Sequence, residues 1–327
     1  MRKFAIAATV AAFSFTTAPA FAESYNLTVA GASPGGLWSL LGAGLDAAVK
    51  EAYPGSTVTY QTSGGGLANV AVLQRRDADM GIVHDAELQV AKQGGEPFNA
   101  PVEDLRVLSY LYTWAPMQPV INADFAAKHG IETFADLAAK EVPVRVAINK
   151  RGNIASAVAL AMLEAIGAGP DEIEAWGGDV IYAASGEQAT LMQDRRVDMT
   201  LNSIFVRHRS IMQQADAIDL QLLPISAETQ AAVNDRTGTS DFVIPGGSYD
   251  WAPEDAATVT LGAALVVRAD MDEQTAYNLT KALFENHGKI AGVHKAMNAL
   301  TPEIMAAQKV VPYHDGALRY LSEAGLM

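Results

Sequence analysis

Apolar and polar positions along this chain alternate between two periods. Short apolar runs at Leu27 to Ala30, Thr57 to Gln61 and Asp79 to Val83 predict strands, and each is followed by helical spacing. The first helix, from about Leu37 to Ala52, is apolar at Leu37, Leu40, Leu41, Leu45, Ala48 and Val49, and Pro54-Gly55 stops it. A second helix is expected from about Leu67 to Arg75. A third runs from Asp85 to Gln93 and is ended by Gly94-Gly95. Alternation at this spacing predicts parallel βαβ units, whose ligands sit at the carboxyl ends of the strands. The loops at 31–36, 62–66 and 84–85 all occupy such ends and are expected to converge.

The next apolar segments, Leu105 to Tyr112 and Met117 to Asn122, predict two strands separated by Trp114-Ala115-Pro116. The βα pattern then restarts. Helices are expected at 133–139, 153–166, 184–195 and 205–214, and strands at 144–148, 197–201 and 220–223. The β-rich run Thr258 to Val267 is expected to return to the first lobe and pair with Met117 to Asn122. Helices at 273–286 and 290–297, then a loop-rich tail, complete the chain. The organisation expected is an α/β chain of two lobes. Lobe 1 is discontinuous, 23–115 and 256–327, and lobe 2 is 116–255.

The N-terminus changes this picture. Arg2 and Lys3 precede an apolar stretch from Phe4 to Phe15, and Ala20-Phe21-Ala22 is an A-x-A site, so 1–22 reads as a signal peptide cleaved near Ala22-Glu23. No other stretch approaches the about 20 apolar residues of a membrane span, so the expected mature protein is exported and not membrane-embedded. The chain has no cysteine, which excludes disulfides, thiol chemistry and lipid attachment through an N-terminal Cys. Net charge is −14 over 327 residues. An acidic surface of this size argues against nucleic acid and anionic membranes as partners. It leaves open a small anion held by local dipoles in a cleft.

Several stretches carry candidate chemistry. Ser63-Gly64-Gly65-Gly66-Leu67-Ala68-Asn69 joins a predicted strand to a predicted helix. Bare glycine backbone and the partial positive charge of a helix N-terminus make an anion cradle there, with a flexible connector as the alternative. Gly31 to Gly36 has half of a P-loop, but Leu37-Trp38 stands where Lys and Ser/Thr would be needed, and the dinucleotide fingerprint is also absent. What survives is the turn Gly35-Gly36 feeding a helix, with Trp38 either packing under the loop or walling a ligand. His84-Asp85 ends a strand. The histidines form no H-x-x-x-H or H-x-H pair, so no metal site is expected. No cofactor is expected either. No G-x-S-x-G elbow occurs, and no Ser has a His partner by spacing, so no catalytic residue is assigned. Lys150-Arg151-Gly152-Asn153 opens a helix, with Asn153 suited to an N-cap and Arg151 placed either to grip a carboxylate or as solvated charge. Ser203 and Arg207-His208-Arg209 lie beyond the strand Val197 to Leu201, with the same two readings for Arg207.

An ordered set of segments resembles the TAXI-type solute-binding subunit of TRAP (tripartite ATP-independent periplasmic) transporters. They are Gly35-Gly36, Thr62 to Asn69, Asp77-Ala78-Asp79-Met80-Gly81, Leu111-Tyr112, Gly167, Ile244 to Tyr249, Tyr277 to Thr280 with Glu285-Asn286, and above all Pro312 to Tyr320 with Glu323-Ala324-Gly325. The resemblance spans nearly the whole mature chain. It implies a two-lobed periplasmic binding protein, type II-like, with a mostly parallel sheet flanked by helices in each lobe and hinge strands between. It further implies a periplasmic receptor, without enzymatic activity, that closes on a glutamate-like amino acid or dicarboxylate and delivers it to TRAP membrane subunits. Carried across by position, Ser63, Gly65 and Asn69 would be ligand-loop residues, and Tyr112 would lie near the hinge. The departures fall in the pocket, at His84-Asp85-Ala86, Gly152-Asn153-Ile154-Ala155 and Phe205-Val206-Arg207. Asp85 is expected to face a ligand ammonium. An ABC-type or sensory binding protein shares the architecture, and a periplasmic enzyme on the same fold would need an acid–base pair in the cleft.

Overall fold

The computed structural model describes residues 23–307 and 310–327. The predicted signal peptide lies outside them. The chain begins with β1 (Asn26–Ala30), α1 (Leu37–Ala52), β2 (Thr57–Gln61), α2 (Gly66–Gln74), β3 (Met80–His84) and α3 (Asp85–Gln93). β2 and β3 flank β1 in parallel, as the alternation requires. Apolar spacing on α1 buries Leu41, Leu45, Ala48 and Val49 against this sheet. Gly94, left-handed at φ 71°, closes α3.

The segment expected as two strands is one, β4 (Leu105–Asn122). Proline can break a strand only where its missing N–H is needed by a ladder. Pro116 lies where β4 exchanges one partner for another. Leu105 to Pro116 pairs antiparallel with a late strand, and Met117 to Ile121 pairs with a different one. The Pro116 carbonyl is still used, accepting the N–H of Ile204 at 3.2 Å.

The second series follows as α4 (Ala123–His129), α5 (Asp136–Ala139), β5 (Arg145–Ile148), α6 (Ile154–Ala165), α7 (Pro170–Ala175), β6 (Asp179–Tyr182), α8 (Ser185–Gln193), β7 (Met199–Ser203), α9 (Arg209–Ala215) and β8 (Leu220–Leu222). β5 lies between β6 and β7, all parallel. The helix expected from Phe205 starts only at Arg209, because Arg207 adopts the left-handed region (φ 60°) that ends regular structure. Neither α7 nor β6 is signalled by the sequence pattern.

α10 (Ala227–Thr237) and β9 (Ser240–Ile244) lead into β10 (Ala256–Arg268), followed by α11 (Glu273–Glu285), α12 (His287–Ala291), α13 (Pro302–Met305) and α14 (Asp315–Glu323). β10 corrects a second expectation. It pairs with Leu105 to Pro116, with β3 and with β9, while Met117 to Asn122 pairs with β7 and β8. The helix expected over 290–297 breaks at Gly292 into α12 and a short 3₁₀ turn at Lys295–Met297. The tail is also not loop-rich. His314 caps α14 by accepting the N–H of Gly316, and Ala317 and Leu321 are buried. The strand order is β2-β1-β3-β10-β4-β7-β5-β6, so β4 and β10 connect a β1–β3 half to a β5–β7 half.

Two buried groups brace the crossing of β4 and β10. Asp85 is fully buried, and its Oδ2 accepts the N–H of Gly262 at 2.9 Å, within an irregular stretch of the β4–β10 ladder. Tyr110 lies beside it, its phenol pushed up first by burial and then by the Asp85 charge. A Cβ on Gly262 would lie 2.6 Å from Asp85 Oδ2 and 3.1 Å from the Tyr112 carbonyl oxygen. Gly262→Ala is therefore expected to destabilise the fold by about 1–3 kcal/mol. Gly288→Ala in α12, with no atom within 4 Å of its new methyl, is expected to stabilise it by about 0.5 kcal/mol. Urea denaturation midpoints of the two variants check both signs.

Candidate functional site

A cleft of about 1000 Å³ opens between the two halves of the sheet. Three helix N-termini reach it. α1 begins there at Leu37, after Gly36 and a turn that holds Gly35 at φ 79°. Ser39 folds back over that turn, its Oγ accepting the Gly35 N–H at 3.1 Å and donating to the Gly36 carbonyl at 2.8 Å. α6 begins at Ile154, capped by Asn153, whose Oδ1 accepts the N–H of Ala155 at 2.9 Å. α9 begins at Arg209, capped by His208, whose Nδ1 accepts the N–H of Ser210 at 3.2 Å. That acceptor role needs a ring lone pair, and burial lowers the His208 pKa in the same direction.

One end of the cleft is a chain of hydrogen bonds. The Glu87 carboxylate accepts both the backbone N–H of His84 and its ring Nδ1–H, each at 2.9 Å. With Nδ1 as donor, Nε2 is left to pair with the Tyr112 hydroxyl at 3.0 Å. The Tyr112 oxygen in turn accepts the indole N–H of Trp38 at 3.1 Å. Burial pushes the Tyr112 phenol up, which keeps the proton this chain needs. Aromatic contacts continue the wall: the Trp38 and His84 rings lie 4.7 Å apart, and Phe205 meets Tyr112 edge-on at 5.3 Å. The indole N–H of Trp114 holds the Ala296 carbonyl at 3.0 Å, fixing the 294–296 segment over the cleft.

The expected site residues divide. Gly35, Gly36, Trp38, His84, Tyr112, Asn153, Ser203 and Arg207 border the cavity. Trp38 does so mostly as packing, since it is 8% exposed. Ser63, Gly64, Gly65, Asn69, Asp85, Arg151 and Gly152 are not among its lining residues.

The glycine loop does meet the ends of β1 and β3, because Ser63 Oγ donates to the Gly31 carbonyl at 2.7 Å and Asn69 Nδ2 donates to Gly31 and Ile82. Its helix end already faces an anion, though. A Cβ on Gly66 would sit 1.7 Å from Glu87 Oε2, so the protein's own carboxylate occupies the place read as a ligand cradle. Asp85, fully buried against Gly262, has no surface with which to face an ammonium. The Arg151 guanidinium lies over the Tyr182 ring, 3.7 Å from its centroid. Arg207 borders the cleft but is partly engaged, donating to the Ser248 carbonyl at 2.8 Å and meeting Asp250 at 3.4 Å. Its left-handed backbone is held by Tyr249, whose hydroxyl accepts the Arg207 N–H at 3.0 Å.

Ile154 and Phe205, which the resemblance put in the pocket, do line the cleft, whereas sequence reasoning did not assign His208, Arg209 and Lys295 as cleft residues. For His208 and Arg209 the signal existed, a polar residue before a helix beyond a strand's carboxyl end. For Lys295 there was none, since it arrives from the far end of the chain. No Asp or Glu is among the residues lining the cleft, while Arg207, Arg209 and Lys295 are. No ion pair with another described residue takes up Arg209 or Lys295. Among the described residues no group of three His, Asp or Glu is placed to hold a metal ion, and no helix is long and apolar enough to cross a membrane.

Two variants test this local account. Tyr112→Phe leaves the Trp38 indole N–H and His84 Nε2 without their partner, and a loss of about 1–3 kcal/mol is expected by chemical denaturation. His208 has its pKa lowered in the folded state, so the stability it contributes is complete above its unfolded value and lost as pH falls towards the folded one. Between about pH 7 and pH 5 the parent should therefore lose stability relative to His208→Asn, which caps without titrating.

Residues 29–325 match the model described as the NMT1-like family. No curated protein sequence matches the chain. Among solved structures it is similar to a TctC solute binding protein from Polaromonas, without ligand (12% identity, 93% of this chain and 94% of that one, TM-score 0.58). It is also similar to PhnD1 from Prochlorococcus marinus in complex with methylphosphonate (9% identity, 93% and 99%, TM-score 0.53). A third is MatC from Rhodopseudomonas palustris with bound malate (13% identity, 86% and 93%, TM-score 0.51). Likeness at these identities concerns the fold, which is that of the two-lobed periplasmic binding proteins.

Proposed function

The chain belongs to the NMT1-like family, and from that membership and its cleft we propose that it is an extracytoplasmic solute receptor for a small organic anion. The observation that carries this reading is the inversion of charge between surface and cleft. A protein of net charge −14 lines this cleft with Arg207, Arg209 and Lys295 and, among the described residues, with no carboxylate. The N-terminus of α1, which no side chain caps, adds backbone donors at the same place. The neighbours holding malate and methylphosphonate agree with an anion, but they are too distant to carry the argument.

We place the hinge at β4 and β10, with lobe 1 as 23–115 and 256–327 and lobe 2 as 116–255. Binding energy closes lobe 2 on lobe 1, and the closed form is what the transporter selects. The partner assigned by the sequence resemblance is the membrane pair of a TAXI-type TRAP system, with the receptor in the periplasm. Ser63, Gly64, Gly65, Asn69, Asp85, Arg151 and Gly152 support the lobes in this scheme and do not touch the solute.

Native mass spectrometry of the purified protein, followed by titration calorimetry and X-ray scattering with the anion recovered, tests the reading. Binding is expected to shrink the radius of gyration. Arg209→Ala and Lys295→Ala are each expected to weaken binding about tenfold, near 1.4 kcal/mol. An unchanged radius at saturation refutes closure, and unchanged affinity in both variants refutes the assigned cation pair.

A further inference from the structure

We infer that the solute is an organic anion with an apolar, ring-sized body and no ammonium group, which separates it from amino acids and from small dicarboxylates. The inference rests on the solute-receptor reading above and narrows it to a substrate class.

The first half of the argument concerns what the cleft does not offer. An amino acid brings an ammonium that must leave water, and doing so costs several kcal/mol unless a carboxylate or several acceptors replace the hydration. No Asp or Glu lines the cleft. The two nearby carboxylates are bound within the protein: Glu87 by the N–H and ring of His84, and Asp85 by the N–H of Gly262 beneath the surface. Asp250, on the rim, sits beside Arg207. Several side-chain acceptors in the cleft are engaged too. Asn153 Oδ1 takes the N–H of Ala155, Asn149 Oδ1 takes the N–H of Lys150, and the Tyr112 oxygen takes the indole N–H of Trp38. Donors remain in excess, with Arg209 and Lys295 unpaired among the described residues.

The second half concerns where the polarity lies. The cations Arg207, Arg209 and Lys295 are exposed, at the mouth. Trp38, Tyr112 and Ile154, nearly buried, and Phe205, Val206 and Met212, partly covered, supply apolar surface to the same cavity. A dicarboxylate of four or five carbons would satisfy one end at the mouth and press its second charge against these rings, where no cation waits. An acid with an apolar body matches both ends, as small-molecule pockets generally do by combining apolar walls with a few placed polar groups.

Titration calorimetry of the mature protein with matched pairs tests this. The pairs are 3-phenylpropanoate against phenylalanine, indole-3-acetate against tryptophan, and hexanoate against 2-aminohexanoate, with succinate and glutamate as small polar anions. In at least one pair the acid lacking the amine is expected to bind at least tenfold tighter than its amino counterpart, and tighter than succinate or glutamate. An amino acid that equals or exceeds its deaminated partner overturns the exclusion of an ammonium. Succinate or glutamate binding tighter than every apolar acid overturns the apolar body. In either case the protein remains a receptor for solutes. Absence of binding across the whole panel, with no small molecule released from the purified protein on denaturation, overturns the inference together with the receptor reading.

Discussion

The Glu87 carboxylate organises one wall of the cleft. It orients His84 through two hydrogen bonds, His84 orients Tyr112, and Tyr112 orients Trp38. The same oxygen, Oε2, lies where a side chain on Gly66 would have to go, against the first turn of α2. A carboxylate at a helix N-terminus is favourable, so one buried charge fixes both the ring geometry and the glycine requirement. It also explains why the most ligand-like loop in the sequence is spent on internal structure.

Charge in the cleft is a local matter. At physiological ionic strength fields fade over about 8 Å, so the many acidic groups on the surface act weakly on a solute held inside. In the proposed scheme the three cations and the uncapped N-terminus of α1 act at contact distance and prevail there. The acidic exterior is therefore compatible with an anionic solute, and the absence of carboxylates from the lining keeps the local field of one sign.

Much of the fold was legible because period-two and period-3.6 patterns alternate cleanly through both βα series. What escaped was set by tertiary context. Pro116 looked like a break, and it falls at an exchange of partners where no N–H is needed. The pairing of β10 depended on which half of β4 it met, which no local pattern encodes. Of the site, the turns at Gly35-Gly36 and Asn153 were legible from helix-start chemistry. Asp85 was misread because a carboxylate after a strand can equally serve an N–H beneath it, here that of Gly262. The stacking of Arg151 on Tyr182 was not foreseen, because that ring lies on a strand the sequence did not announce.

The long strands have a consequence for how the molecule comes apart. β4 and β10 each run through both halves, so neither half keeps an intact sheet if the other unravels. A chain of this length built as beads on a linker would melt in two steps. Here the hydrogen bonds at the crossing belong to both halves, so the two are expected to unfold as one cooperative unit.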